Sequence, residues 1–207
     1  MFLHRIHLDP RCKEVRRDLS DAYEMHSTLC RAFTLPDIKC PQGAFLWRLE
    51  SELSKEGYPK LMVQSSKQPH WSNINVAGWF AEKPSQPIDL SVKLRIQKNG
   101  IFRYRLRANP STSSKGKRLG ILTGAGQRDW LQRKGASGGF SLATIHCSEE
   151  KMLLGRVRRG DSIRIFSVLF DGMLSVSDIA RFQETLATGI GHGKAMGLGL
   201  LSIAPVK

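Results

Sequence analysis

The order of six predicted elements in residues 92–207 constrains the fold more than any other feature of this sequence. Four of the segments have the apolar content and spacing of strands, and two have the spacing of helices. We predict a strand or hairpin at 92–108, a helix at 127–134, a strand at 140–146, a strand within 162–176, a helix at 178–187 and a strand at 200–204. This order is ferredoxin-like. Within the fourth segment, Asp171-Gly172 is a dipeptide typical of a hairpin turn.

The first half of the chain has a shorter version of the same order. A strand is predicted at 2–8, two helices follow, and two further strands are predicted at 45–50 and 60–64. The Pro- and Ser-containing segment after them has the composition of a linker. We therefore predict an α+β protein with two tandem ferredoxin-like (RRM-like) domains, at residues 1–83 and 92–207, joined by a linker at 84–91.

The second predicted helix begins at Asp21, whose carboxylate can cap it, and Glu24 would complete a capping box. Helical spacing predicts one buried stripe, formed by Ala22, Met25, Leu29, Ala32 and Phe33. Tyr23, His26 and Cys30 lie along the border of that stripe. Tyr23 and His26 are therefore a candidate acid–base pair, and the alternative is that they only close the edge of the core.

His26 and Cys30 could also ligate one metal ion, because residues four apart share a helix face. Two ligands do not make a site, and the sequence has no HExxH motif, DxD motif or compact carboxylate cluster. We expect no metal and no cofactor, so a nuclease with this sequence would have to be metal-independent.

The net positive charge is concentrated in the second half of the chain. The whole chain has 32 basic and 18 acidic residues, and residues 101–207 carry net +10 against +4 for residues 1–100. Residues 101–128 contain no acidic residue, which favours a polyanionic partner over an exposed strand with solubilising charge. Candidate phosphate-binding residues here are Arg103, Arg105, Arg107, Lys115, Lys117 and Arg118. A second cluster surrounds Gly160-Asp161 and contains Arg156, Arg158, Arg159 and Arg164.

A glycine-rich segment at 189–199 (GIGHGKAMGLG) lies between the last predicted helix and strand. It matches neither a P-loop nor a GxGxxG fingerprint. Backbone amides at Gly189, Gly191 and Gly193 could approach an RNA phosphate or sugar, with Lys194 adding charge. The alternative is a flexible turn.

The sequence has no apolar run of membrane-spanning length, and charged residues interrupt its N-terminus. We expect a soluble, cytoplasmic protein without a membrane partner. Its four cysteines form no CxxC pair, so reduced thiols are expected.

Three motifs together resemble one family. They are YEMH at 23–26, RYRLRANPS at 103–111 with GKR at 116–118, and GIGHGKAMGLGLLSIAP at 189–205. The combination resembles CasE, the CRISPR repeat-processing endoribonuclease of type I-E systems. The resemblance implies two ferredoxin-like domains and cleavage of precursor RNA at the base of each repeat hairpin. The implied chemistry is attack by a ribose 2′-hydroxyl, and the implied assembly is the Cascade complex, in which the mature guide RNA is retained.

The resemblance also implies roles for individual residues. His26 and Tyr23 correspond to the catalytic histidine and tyrosine, and Arg31 to a basic residue beyond them. Ser27 stands where relatives often have a basic residue. The basic hairpin that enters the RNA major groove corresponds to residues 156–164. The alternative functions are a non-catalytic hairpin-binding ribonucleoprotein subunit and a general RNA chaperone.

Overall fold

The computed structural model describes residues 1–35, 38–114, 116–156 and 162–206. The chain forms two compact units, and neither is continuous in sequence. Unit 1 comprises Met1–Lys93, Leu153–Arg164 and Ala195–Gly197. Unit 2 comprises Leu94–Met152, Ile165–Lys194 and Leu198–Lys207. No helix in the described ranges is long and apolar enough to span a membrane.

The N-terminal sheet has four strands in the order β2-β3-β1-β4. Its strands are β1 (Phe2–His7), β2 (Phe45–Leu53), β3 (Pro59–Ser65) and β4 (Ile88–Asp89), and its helices are α1 (Lys13–Ser20), α2 (Ala22–Cys30) and α3 (Leu90–Lys93). β3 is antiparallel to both β1 and β2. This is the ferredoxin-like strand order. A single 3-10 turn, Trp71–Asn73, stands between β3 and β4 in place of a second long helix, which is why this half is shorter.

α2 packs on this sheet through the predicted apolar stripe. Met25, Leu29 and Ala32 are at most 1% exposed, and Ala22 and Phe33 pack at the edge of the same core. Trp47, Leu61 and Val63 supply the facing side chains from β2 and β3. The prediction of the buried stripe is confirmed, and it fixes which face of α2 remains for Tyr23 and His26.

The C-terminal sheet has the order β10-β5-β9-β8, again the ferredoxin-like order. Its strands are β5 (Ile101–Ala108), β8 (Phe140–Arg156), β9 (Ser162–Val176) and β10 (Leu201–Pro205), with helices α4 (Gly124–Ser137) and α5 (Ile179–Thr188). A separate two-stranded hairpin, β6 (Ser111–Ser114) and β7 (Lys117–Gly120), follows β5, and no pattern in the sequence predicts it. The predicted fold class, with two ferredoxin-like halves, is confirmed.

The hairpin turn predicted at Asp171-Gly172 is wrong. β9 runs straight through both residues, with Asp171 opposite Arg105 and Gly172 opposite Tyr104 on β5. A side chain at residue 172 would collide with the backbone carbonyl of Thr144. Glycine is required at this position because the neighbouring strand β8 approaches closely, and not because the chain turns.

The predicted linker at 84–91 contains regular structure. Ile88 and Asp89 form β4, which pairs with Leu3 and Phe2 of β1, and α3 follows directly. The sequence-continuous domains at 1–83 and 92–207 stay a prediction. The compact units differ from them, because 153–164 and 195–197 group with the N-terminal residues.

Candidate active site and basic surfaces

The N-terminus of α2 is capped by the side chain of Asp21. Its Oδ1 accepts hydrogen bonds from the backbone N–H groups of Tyr23 at 2.9 Å and Glu24 at 3.4 Å, as predicted. The prediction that Glu24 completes a capping box is wrong, because the Asp21 N–H donates to the Arg17 carbonyl and not to the Glu24 side chain. Glu24 forms an ion pair with Arg17 at 3.3 Å.

The other oxygen of Asp21 ties the helix cap to β8. Oδ2 accepts a hydrogen bond from the backbone N–H of Arg156 at 3.0 Å. The adjacent Gly155 is buried, and a side chain there would lie 2.7 Å from Met196 and 3.5 Å from the Cβ of Tyr23. The backbone of β8 at Gly155 therefore lies close to the Cβ of the half-buried Tyr23.

His26 lies one turn further along α2 and is half-buried. Its ring packs against Phe45, with ring centroids 5.1 Å apart, and Phe45 stacks in turn on Phe33. Nδ1 is buried and has no hydrogen-bond partner among the described residues, whereas Nε2 lies 3.6 Å from the sulfur of Cys30. Burial lowers the pKa of His26, so the ring is neutral at neutral pH and can accept a proton.

Arg31 follows α2 in the 3-10 turn Arg31–Phe33 and is exposed. It opens onto a cleft of about 390 Å³. The described residues lining this cleft are Cys30, Arg31, Thr34, Leu35, Ile38, Cys40 and Asn73. Arg31 is the one charged residue among these lining residues. An anion that enters the cleft would therefore contact its guanidinium. Cys30 lines this cleft and also contacts His26, so the Cys30 side chain links the imidazole to the cleft.

His26 and Cys30 do meet at the spacing that the metal alternative requires. Over the ranges that the structure covers, however, no group of three or more His, Cys, Asp or Glu side chains is arranged to hold a metal ion. The chemistry that these side chains themselves can perform is proton transfer at His26 and charge stabilisation at Arg31.

The arginine stripe of β5 differs from its prediction. Arg103 is exposed, but Arg105 donates to Asp171 at 2.8 Å, and Arg107 is 3% exposed with its guanidinium on Glu149. The premise that no acidic side chain neutralises the stripe is wrong, because both partners come from other strands of the sheet. RNA contacts by Arg105 and Arg107 stay a prediction.

The glycine-rich loop is closed by its own backbone, since Ile190 N–H donates to the Gly199 carbonyl at 2.9 Å. Gly189, Gly191 and Gly193 all have positive φ. At Gly191, where φ is +78°, a side chain would also press on the Trp130 ring at 3.2 Å. These features favour a loop of defined conformation over a flexible turn.

Basic residues from three elements meet beside this loop. His192 has a lowered pKa, first because it is partly buried and then because Arg118, Lys134 and Lys194 place positive charge around it. Two of these, Arg118 and Lys194, were predicted; Lys117 is exposed on the same strand as Arg118. We name Arg118, Lys134, His192 and Lys194 the loop cluster.

A cleft of about 440 Å³ lies between β6 and α4. Its described lining is Ser111, Thr112, Ser113, Trp130, Arg133, Lys134 and Ser137, which includes two cations and no acid. Sequence reasoning missed Arg133 and Lys134. The signal was two consecutive basic residues near the end of a helix, a pattern that is also typical of a solvated helix terminus.

Arg156 is exposed at the end of β8, and Arg164 is exposed on β9. Three other predicted RNA-binding residues, Lys115, Arg158 and Arg159, lie outside the described residues.

Comparison with known proteins gives full-length matches. A family model described as CRISPR associated protein matches residues 1–205. The CRISPR-associated endoribonuclease Cse3 of Thermus thermophilus is 35% identical over 220 residues, covering 99% of this chain and 100% of the relative. The CRISPR system Cascade subunit CasE of Escherichia coli is 30% identical, covering 90% and 93%. The structure of Thermus thermophilus Cse3 bound to an RNA representing a pre-cleavage complex matches with a TM-score of 0.83 at 33% identity, covering 99% and 98%.

Proposed function

The chain belongs to the CRISPR-associated protein family as a CasE-type endoribonuclease of type I-E systems, and from this we propose that it processes CRISPR precursor RNA. It binds the repeat hairpin, cleaves at the hairpin base and retains the mature guide RNA as a Cascade subunit. The observation that carries this proposal is the full-length match to an endoribonuclease solved with a pre-cleavage RNA. We also propose that the protein acts in the cytoplasm, where precursor transcripts are made.

The proposed chemistry is transesterification within the RNA. The 2′-hydroxyl upstream of the scissile bond loses its proton and its oxygen attacks the adjacent phosphorus. The bond from phosphorus to the 5′ oxygen breaks, and that oxygen takes up a proton. The products are a 2′,3′-cyclic phosphate and a 5′-hydroxyl, and the balance needs no oxidant, reductant or metal.

His26 is the group that we propose for proton transfer. Its lowered pKa keeps the ring neutral at neutral pH, and its Nε2 contacts Cys30, which lines the Arg31 cleft. Tyr23, one turn earlier on α2, orients the 2′-hydroxyl or the phosphate through its own hydroxyl. Arg31 stabilises the charge that develops on the phosphorane.

RNA binding is proposed for the exposed basic residues of both halves. Arg103, Lys117 and the three cations of the loop cluster have the charge to contact phosphates, and the backbone of the glycine-rich loop adds neutral donors. Arg156, Lys115, Arg158 and Arg159 remain candidates from the sequence. Arg133 and Lys134 join the predicted set because they line a cleft without an opposing acid.

The product termini test this function. Incubated with a repeat-hairpin transcript in excess EDTA, the protein should give two fragments, the upstream one ending in a 2′,3′-cyclic phosphate and the downstream one starting with a 5′-hydroxyl. Mass spectrometry of both fragments measures this. Binding without cleavage would favour the non-catalytic subunit, and cleavage of unstructured RNA at many positions would contradict hairpin processing.

Salt dependence tests the basic hairpin at 156–164. Replacing Arg156, Arg158 and Arg159 by Ala should weaken hairpin binding and flatten the plot of log K against log salt, by about 0.7 to 0.9 for each phosphate that is no longer neutralised. Filter binding at several salt concentrations measures the slope. The matched control replaces three exposed lysines of the N-terminal half, Lys55, Lys67 and Lys83. Equal slopes for the two triple variants would remove these arginines from the interface.

A further inference from the structure

Cys30 is the last residue of α2, one turn beyond His26. Its sulfur lies 3.6 Å from Nε2 of the imidazole. The other ring nitrogen, Nδ1, is buried and unpartnered among the described residues. Nδ1 is therefore closed to RNA, which leaves Nε2 as the nitrogen for proton transfer, and among the described residues the Cys30 thiol contacts it.

The protonation state of Cys30 decides what this contact can be. Burial raises the pKa of Cys30 to about 12, and the neighbouring Cys40 side chain adds to this shift. The sulfur therefore keeps its proton at neutral pH, and a thiolate–imidazolium ion pair does not form. An S–H group beside a neutral imidazole can donate to the lone pair on Nε2.

The remaining contacts of the ring do not supply this interaction. Phe45 packs at 32° to the imidazole plane and restrains its face, but an aromatic carbon ring neither donates to nor accepts from Nε2. The thiol acts at the ring edge, where the chemistry takes place.

We propose that Cys30 is a positioning residue for His26. The Cys30 thiol, which lines the Arg31 cleft, holds the imidazole with an unprotonated Nε2 until RNA displaces the thiol. The inference rests on the proposed function, because it assumes that His26 transfers the proton. Two consequences follow. Loss of the donor should slow cleavage without weakening RNA binding, and it should raise the pKa of His26, because the bond stabilises the neutral ring.

Three substitutions of Cys30 separate hydrogen bonding from packing. Cys30→Ser retains a donor, Cys30→Val fills the space without one, and Cys30→Ala does neither. We expect Ala and Val to slow single-turnover cleavage about threefold to tenfold at unchanged affinity, and Ser to stay near the wild-type rate. Cys12→Ala and Cys147→Ala are the controls, since each removes a partly buried thiol elsewhere and leaves the Cys30–His26 pair in place.

NMR of the histidine rings gives a readout independent of cleavage. The His26 signal, assigned by its loss in His26→Ala, should titrate at higher pH in Cys30→Ala and Cys30→Val than in the wild type, and Cys30→Ser should restore it. A wild-type rate and titration in Cys30→Val, or equal slowing by Cys12→Ala, would overturn the inference. If His26→Ala itself cleaves normally, the proposed function fails instead, and the NMR result still reports on the thiol's interaction with the ring.

Discussion

His26→Ala should lower the single-turnover rate of hairpin cleavage by at least about 100-fold, while the hairpin affinity stays within a few fold. A neutral, half-buried imidazole contributes proton transfer and little of the binding energy, which comes from phosphate contacts. Tyr23→Phe should slow cleavage less, because it removes one hydrogen bond. Single-turnover rates at saturating protein measure the effect on cleavage, and filter binding measures the hairpin affinity.

The matched control is His146→Ala, the same substitution at an exposed position of β8. It should cleave as the wild type does. A wild-type rate in His26→Ala would remove this residue from catalysis, and a large loss of affinity would show that its role is binding.

The pH profile of the wild type identifies which proton His26 moves. Burial lowers its pKa below the usual 6.5, so the neutral ring persists into mildly acidic solution. If His26 is the base, cleavage declines only as the pH falls through that lowered value. If it is the acid, cleavage declines as the pH rises through the same value. Only the limb that disappears in His26→Ala belongs to this residue.

A single 2′-deoxy nucleotide immediately upstream of the scissile phosphate should abolish cleavage and leave binding intact. The substitution removes the nucleophile, and no group of the protein replaces it in the proposed reaction. Gel analysis of single-turnover reactions in excess EDTA measures this. The same deoxy substitution one nucleotide away is the control and should be cleaved.

Two results would contradict this chemistry. Normal cleavage of the deoxy substrate would mean that water or a side chain attacks the phosphorus. An obligatory requirement for magnesium or manganese would mean that the proton transfers proposed for His26 are not sufficient.

The features that sequence predicted best are local. The buried stripe of α2 and its Asp21 cap depend on residues within a few turns of one helix, and spacing alone determines them. The order of strands and helices in each half likewise follows from periodicity, because a ferredoxin-like sheet needs that order.

The features that sequence missed depend on distant partners. Arg105 and Arg107 form an unneutralised stripe in the sequence, yet Asp171 and Glu149 pair with them from positions 66 and 42 residues away. The dipeptide Asp171-Gly172 is typical of a turn. The real reason for the glycine, the close approach of the Thr144 carbonyl, comes from a residue 28 positions earlier in the chain and cannot be predicted from the local sequence. The spacing of four residues predicts that Cys30 and His26 lie on one helix face. Only the structure shows that Nδ1 is buried, which leaves Nε2 as the ring nitrogen that contacts the thiol.

The bond between the Asp21 carboxylate and the Arg156 N–H has a consequence for biosynthesis. The helix that carries Tyr23 and His26 is made early, but Gly155, Arg156 and Met196, which lie beside its first turn, are translated far later. A nascent chain cannot assemble this site until almost all of it has left the ribosome. An N-terminal fragment ending at residue 93 would carry Tyr23, His26 and Arg31 without the Arg156 N–H that binds the helix cap. If these residues form the proposed site, we expect cleavage to begin only after translation is nearly finished.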